Sequence, residues 1–193
     1  MQGSVRMPKK ISRIAIASAF FTATLAAHAA FFTNSDHRQY LSGNLGLPYV
    51  NHLYSNGNTI SGFTGFGGAL FLGEQINHIF GPELELQYDT YGESGELLLF
   101  GASGRATLNF NDRVNLFAKL GIGYGQARAC GSSICATDNN VVPIFGGGMG
   151  VYITPQWLGS IEFNGAYFAN STVDNADGVF GVLTVGVTRF FED

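Results

Sequence analysis

The chain has 193 residues, with ten Lys+Arg against fourteen Asp+Glu and only 12% charged residues. Four of its cations, Arg6, Lys9, Lys10 and Arg13, precede the first acid, Asp36, so residues 30–193 carry six against fourteen, a formal charge of −8. That balance excludes a nucleic-acid-binding or polybasic membrane-surface protein, and the 164 residues after position 29 leave room for one domain.

Residues 1–29 read as a secretory signal peptide. A basic start leads into the apolar stretch Ile14 to Ala27, and Ala27-His28-Ala29 fits the small-x-small cleavage pattern. No Cys follows the cleavage point, so a lipoprotein anchor is not expected. Beyond this leader, no run approaches the ~18 apolar residues of a membrane-spanning helix.

The rest of the chain shows period-2 alternation, the mark of strands with two different environments on their faces. The first strand is expected at Gln39 to Leu47, with Leu41, Leu45 and Leu47 on one parity. The second, Ile60 to Leu72, is apolar and Gly-rich on both parities, so its facing stays open. The third, Phe80 to Tyr88, alternates Phe80, Pro82, Leu84, Leu86 and Tyr88 with Glu83, Glu85 and Gln87. The fourth, Glu96 to Phe110, opposes Leu98, Phe100, Leu108 and Phe110 to Ser103, Arg105, Thr107 and Asn109. The fifth, Val114 to Gln126, opposes Leu116, Leu120 and Ile122 to Asn115 and Lys119. The sixth is Val141 to Ile153, where Pro143 suggests a start after the proline, because a closed barrel has no free edge for a missing N–H. The seventh is Leu158 to Phe168, with Glu162 and Asn164 off the apolar parity, and the eighth is Val179 to Phe191.

The connections alternate in length. Gly73 to Ile79, Asn111 to Arg113 and Thr154 to Trp157 are short, whereas Pro48 to Thr59, Asp89 to Gly95, Ala127 to Asn140 and Ala169 to Gly178 are longer on average. Outer-membrane barrels pair short periplasmic turns with longer outside loops. The competing fold is a secreted soluble sandwich or lipocalin-like barrel, apolar inside and polar outside. Two features oppose it. The polar parity is rich in Gly, Ser, Thr and Asn rather than Lys and Glu, and total charge is well under the usual ~25%. Aromatics also sit at strand ends, namely Tyr40, Phe80, Tyr88, Phe110, Tyr124, Trp157, Phe168 and Phe191, as interfacial girdles require. Residues 30–193 are therefore read as an all-β, eight-stranded antiparallel up-and-down transmembrane barrel in the bacterial outer membrane, with outer-membrane lipids as its surroundings.

Glu83, Glu85, Arg105, Lys119 and Glu162 all fall on the parity opposite the apolar one. Folding the fourth strand onto the fifth about Asp112 places Arg105 opposite Lys119. An eight-stranded barrel is just wide enough for side chains to fill, so these five residues are expected to form a lumen ion network. Arg105 is the expected centre, bound to Glu83 or Glu85 and approaching Glu162, with Lys119 leaning toward Glu162. Cys130 and Cys135, the only cysteines, are expected to form a small disulfide ring in an oxidising compartment, since two thiols do not complete a zinc site. No catalytic residue, metal or cofactor is expected. His37, His52 and His78 pair with no strand Ser, and the Gly clusters at 121–125 and 146–150 lack the context of a phosphate loop. Tyr49, Leu53 and Tyr54 are either ordinary loop aromatics or an adhesive patch.

The leader, the eight strands, the run Phe80 to Tyr88 and the ending Val185 to Phe191 resemble the small porin-like, opacity-protein and outer-membrane-protein-A-type barrels of Gram-negative bacteria. The resemblance covers the whole of residues 30–193. It implies a terminal aromatic signal, here Phe190 and Phe191, read by the barrel-assembly machinery, although Glu192 and Asp193 follow it. It also implies a structural ion plug in place of a catalytic carboxylate pair. The expected role is structural or surface-interacting, opacity- or adhesin-like, with a host or environmental ligand at the outer loops. The alternative is a narrow passive porin-type channel.

Overall fold

The computed structural model describes residues 38–55, 58–77, 79–92, 95–130, 135–168 and 178–191. The leader, its cleavage site, His37 and His78 lie outside them, as do the side chains of His52, Leu53, Tyr54, Cys130 and Cys135. The elements are β1 (Arg38–Ser55), β2 (Asn58–Phe63), β3 (Phe66–Gln75), β4 (Phe80–Thr90), β5 (Gly95–Asn109), β6 (Val114–Cys130), β7 (Cys135–Thr154), β8 (Trp157–Phe168) and β9 (Gly178–Phe191). Every neighbouring pair is antiparallel, and β1 pairs with β9, so the sheet closes on itself.

Eight strands form the wall; β2 extends the first hairpin above it, pairing with β1. The sequence suggests one strand from Ile60 to Leu72, and the structure breaks it at Thr64-Gly65. Gly65 has φ 88°, and a Cβ there would run into the Thr90 carbonyl oxygen. Only glycine takes that backbone at that approach.

The barrel is staggered. Following paired residues around the wall runs Tyr40, Gly73, Glu83, Ser103, Gly121, Ile144, Ala166, Phe180 and back to β1 at Val50. The circuit returns ten residues further along β1, a shear of ten for eight strands, which tilts the strands by roughly 35–45°.

Odd and even positions separate inside from outside. Leu120 is 72% exposed, Ile122 67% and Val141 75%, and together with Leu45, Leu108 and Val185 they clothe the outer wall in hydrocarbon. Soluble monomers rarely expose a continuous apolar belt of this kind. Phe80, Phe110, Trp157 and Phe191 are exposed at the end bearing the short turns, and Tyr88, Tyr124 and Tyr167 at the opposite, hairpin end. Tyr40 and Phe168 do not join these girdles. Both are buried inside the barrel, because each sits on the parity opposite its strand's outward residues, Leu41 on β1 and Ile161 on β8.

Two of the expected outer loops are largely strand, and the expected loop Ala169 to Gly178 lies almost wholly outside the described residues. β1 runs through Pro48 to Ser55, and β6 and β7 together absorb most of Ala127 to Asn140. Pro143 lies within β7, opposite Ile122, and not before its start. Pairing of β7 with β8 begins only at Ile144, so Pro143 sits where β7 leaves its second neighbour and the missing N–H has no ladder to break. Tyr49 faces outward and packs on Phe63 at 5.2 Å and Phe163 at 6.4 Å.

Candidate functional site

The inward positions of β4 are Glu83, Glu85, Gln87 and Asp89, all buried. Facing them are Arg105 on β5, Lys119 on β6, Glu162 and Asn164 on β8, Thr184 on β9, and Tyr40 and Asn44 on β1. The pairing of β4 with β5 sets Glu83 opposite Ser103 and Gly81 opposite Arg105, which brings Glu83, and not Glu85, beside the guanidinium.

Glu83 is the shared anion. Its Oε2 accepts from Tyr40 Oη at 2.8 Å and from Arg105 Nη1 at 3.4 Å, and its Oε1 meets Lys119 Nζ at 2.9 Å. Lys119 also reaches Glu162 Oε2 at 3.6 Å. Glu162 Oε1 accepts from Asn164 Nδ2 at 2.9 Å and from Asn44 Nδ2. A hydroxyl chain continues across β1 and β9, from Thr188 to Ser42 at 2.9 Å and from Ser42 to Asn44 at 2.9 Å. The network thus spans the bore from β5 to β1, satisfying buried charges that alone would each cost several kcal/mol.

Lys119, and not Arg105, is the centre of this arrangement. Arg105 and Lys119 are opposed in register, and the two cations diverge. Arg105 stacks on the Phe117 ring at 3.8 Å, toward the turn end. Lys119 crosses the bore over the Phe71 ring at 3.6 Å. Glycine makes the path. A Cβ on Gly146 would stand 3.3 Å from Lys119 Cε and 2.7 Å from Asn164 Oδ1, and a Cβ on Gly73 would run into the Tyr40 ring. Arg105 makes no ion pair with Glu162 among the described residues; the carboxylate is held by Lys119 instead. Glu85 makes no hydrogen bond or ion pair among the described residues, because its register sets it opposite Gly101 and Phe71.

Apolar groups close the bore on both sides of the ions. Toward the hairpin end, Val50, Leu97, Leu99, Ile144, Phe168 and Phe180 form a buried cluster, with Phe168 and Phe180 edge-on at 5.2 Å. Toward the turn end, Tyr40, Leu158 and Phe190 pack with Tyr152. The hairpin-end cluster is absent from the sequence-based expectation. Its signal was the apolar run Leu97 to Phe100, where both parities are hydrophobic. Phe190 points inward and Phe191 outward, so the two rings of the terminal pair meet different surroundings. Cys130 and Cys135 oppose each other in the β6–β7 register. Among the described residues, no group of three or more His, Cys, Asp or Glu could hold a metal ion.

The fold of the barrel has known counterparts. Neisserial surface protein A superposes with a TM-score of 0.65 at 14% identity, over 79% of this chain and 97% of that one. The attachment invasion locus protein Ail of Yersinia pestis gives 0.57 at 15% identity, over 80% and 98%. The N-terminal β-barrel domain of Pseudomonas aeruginosa OprF gives 0.56 at 13% identity, over 79% and 97%. At these identities the likeness is one of fold. No curated protein sequence matches the chain. The outer membrane protein β-barrel domain family matches residues 14–191, nearly the whole sequence. This chain belongs to that family and is a protein of the bacterial outer membrane.

Proposed function

We propose that this protein is a non-conducting, non-enzymatic surface barrel, with its turn end in the periplasm and its projecting hairpins meeting the environment. The observation supporting this reading is the lumen itself. Fully buried Leu97, Leu99, Phe168 and Phe180 lie over the Lys119 ion network and occlude the bore beside the polar inward residues of β4. Channel conduction requires a wetted path with sites that bind and release ions. Planar-bilayer recording should show no sustained ohmic steps; regular steps would establish the porin-type alternative.

The chemistry of the hairpin end narrows the ligand class. In the sequence, the segments that make or join these hairpins carry Glu93, Glu96, Asp174 and Asp177, besides the buried Asp89 and Asp138, against Arg128 alone. One related structure holds Ail with the heparin analogue sucrose octasulfate. An acidic rim would repel such a polyanion, so a cationic or neutral surface partner suits this chain better. We further infer that Cys130 and Cys135, cross-strand partners in register, close the β6–β7 hairpin as a disulfide. Thiol labelling of unreduced, denatured protein should then find no reactive sulfur, and two labelled cysteines would end the inference. Phe190 and Phe191 remain our candidates for the residues read by the barrel-assembly machinery.

A further inference from the structure

Arg128 and Arg189 face outward from the wall, one near each rim, and their surroundings differ. Near the hairpin end, Arg128 Nη1 meets Glu96 Oε1 at 3.2 Å, and the same carboxylate accepts from Tyr88 Oη at 3.0 Å. Its charge is balanced within the protein. At the turn end, Arg189 sits on the outward parity of β9, directly opposite Trp157 on β8. Its guanidinium carbon lies 5.6 Å from the Trp157 ring centre and 5.3 Å from that of Phe191. Trp157 and Phe191 are themselves exposed members of the turn-end girdle. No carboxylate pairs with Arg189 among the described residues.

Two rings within cation–π range hold a guanidinium in place without neutralising it. Its N–H fork stays available, and that fork matches the oxygens of a phosphate in a bidentate contact. The height is also right. Aromatic girdles lie at the level of the lipid headgroups, where phosphates are found, and the hydrocarbon-facing Val187 and Val185 continue directly inward along the same face of β9. We propose that Trp157, Arg189 and Phe191 form a binding site for the phosphate of an anionic phospholipid in the leaflet at the turn end, the rings flanking the headgroup and the guanidinium binding it. The valines would then lie along the lipid's acyl chains.

The test uses the full barrel refolded in vesicles of phosphatidylcholine with a minor share of phosphatidylglycerol. Phosphatidylglycerol retained after detergent extraction is counted by native mass spectrometry, and heat-modifiable gel migration first shows that each variant is folded. Replacing Arg189 by Gln should lower phosphatidylglycerol retention roughly fivefold, the worth of one arginine near an anionic surface. Arg189→Lys should recover only part of it, because an ammonium lacks the planar fork. Arg128→Gln, which removes the balanced arginine, should leave retention at the wild-type value. Equal retention by folded wild type and Arg189→Gln would overturn the proposal. So would an Arg128→Gln loss as large as that of Arg189→Gln, since the effect would then be overall charge. If Arg189→Gln keeps its lipid but reaches the membrane poorly in cells, Arg189 is read by an assembly factor and the lipid site is likewise overturned.

Discussion

The lumen holds two kinds of filling on one wall. Around Lys119 it is ionic, with Glu83, Glu162, Arg105 and three amide or hydroxyl donors meeting in a closed set of contacts. Toward the hairpin end it is mostly hydrocarbon and aromatic ring, with Leu97 and Leu99 beside Phe168 and Phe180, whose rings meet edge to face, and with Gln87 and Asp89 of β4 as polar exceptions. Both fill the same narrow bore, yet they fail differently. Apolar packing degrades gradually as atoms are removed, because its energy is spread over many small contacts. An ion network loses a disproportionate amount when one member goes, because the partners stay buried and charged. The polar centre therefore specifies one arrangement of the strands, while the apolar end mainly excludes water.

The sharpest way to break this contrast is Lys119→Met. It removes the one cation shared by Glu83 and Glu162 while nearly keeping the volume. Destabilisation of about 3–5 kcal/mol is expected, because Glu162 is left buried without a cation and Glu83 keeps only Arg105. Urea unfolding of the barrel in lipid vesicles, followed by gel migration, reads it directly. A change below that for Arg105→Met would return the centre of the network to Arg105.

Phe168→Ala tests the other end. Its ring lies over Gly125, a position with no side chain to collapse into the space. A cost of about 3–5 kcal/mol is expected, as for a buried aromatic whose space the neighbours refill poorly. Planar-bilayer recording of the same variant sharpens the comparison. It should stay closed, since the ion network below is intact, and a permanently open bore would assign closure to the apolar end alone.

Glu85→Gln should do least. Glu85 is buried on the same face as Glu83 but has no partner among the described residues, so neutralising it removes a desolvated group without stranding another. The expected change is smaller than about 1 kcal/mol and stabilising in sign. A loss comparable to that of Lys119→Met would place Glu85 inside the network.

The order of strands and the facing of most side chains were legible in the chain because a barrel wall separates lipid from lumen at every residue. Period-2 alternation on β4, β5, β6, β8 and β9 is the consequence, and it identifies Glu83, Glu85, Arg105, Lys119 and Glu162 as inward residues. Even the burial of Tyr40 accords with its parity against Leu41 and Leu45. What the chain could not reveal is how far the strands run past the membrane and which inward groups meet. The hairpins of β1 with β2 and of β6 with β7 continue into polar sequence with no alternation, held by ladder hydrogen bonds that carry no side-chain signature. Partnership in the bore depends on stagger. Ten residues of shear bring the inward residue Glu162 of β8 against Lys119 of β6, two strands away, and leave Glu85 facing Phe71 and Gly101. Hydrophobic parity is indifferent to any even shift between neighbouring strands, so tertiary closure alone decided that Lys119 holds the centre and Arg105 the side.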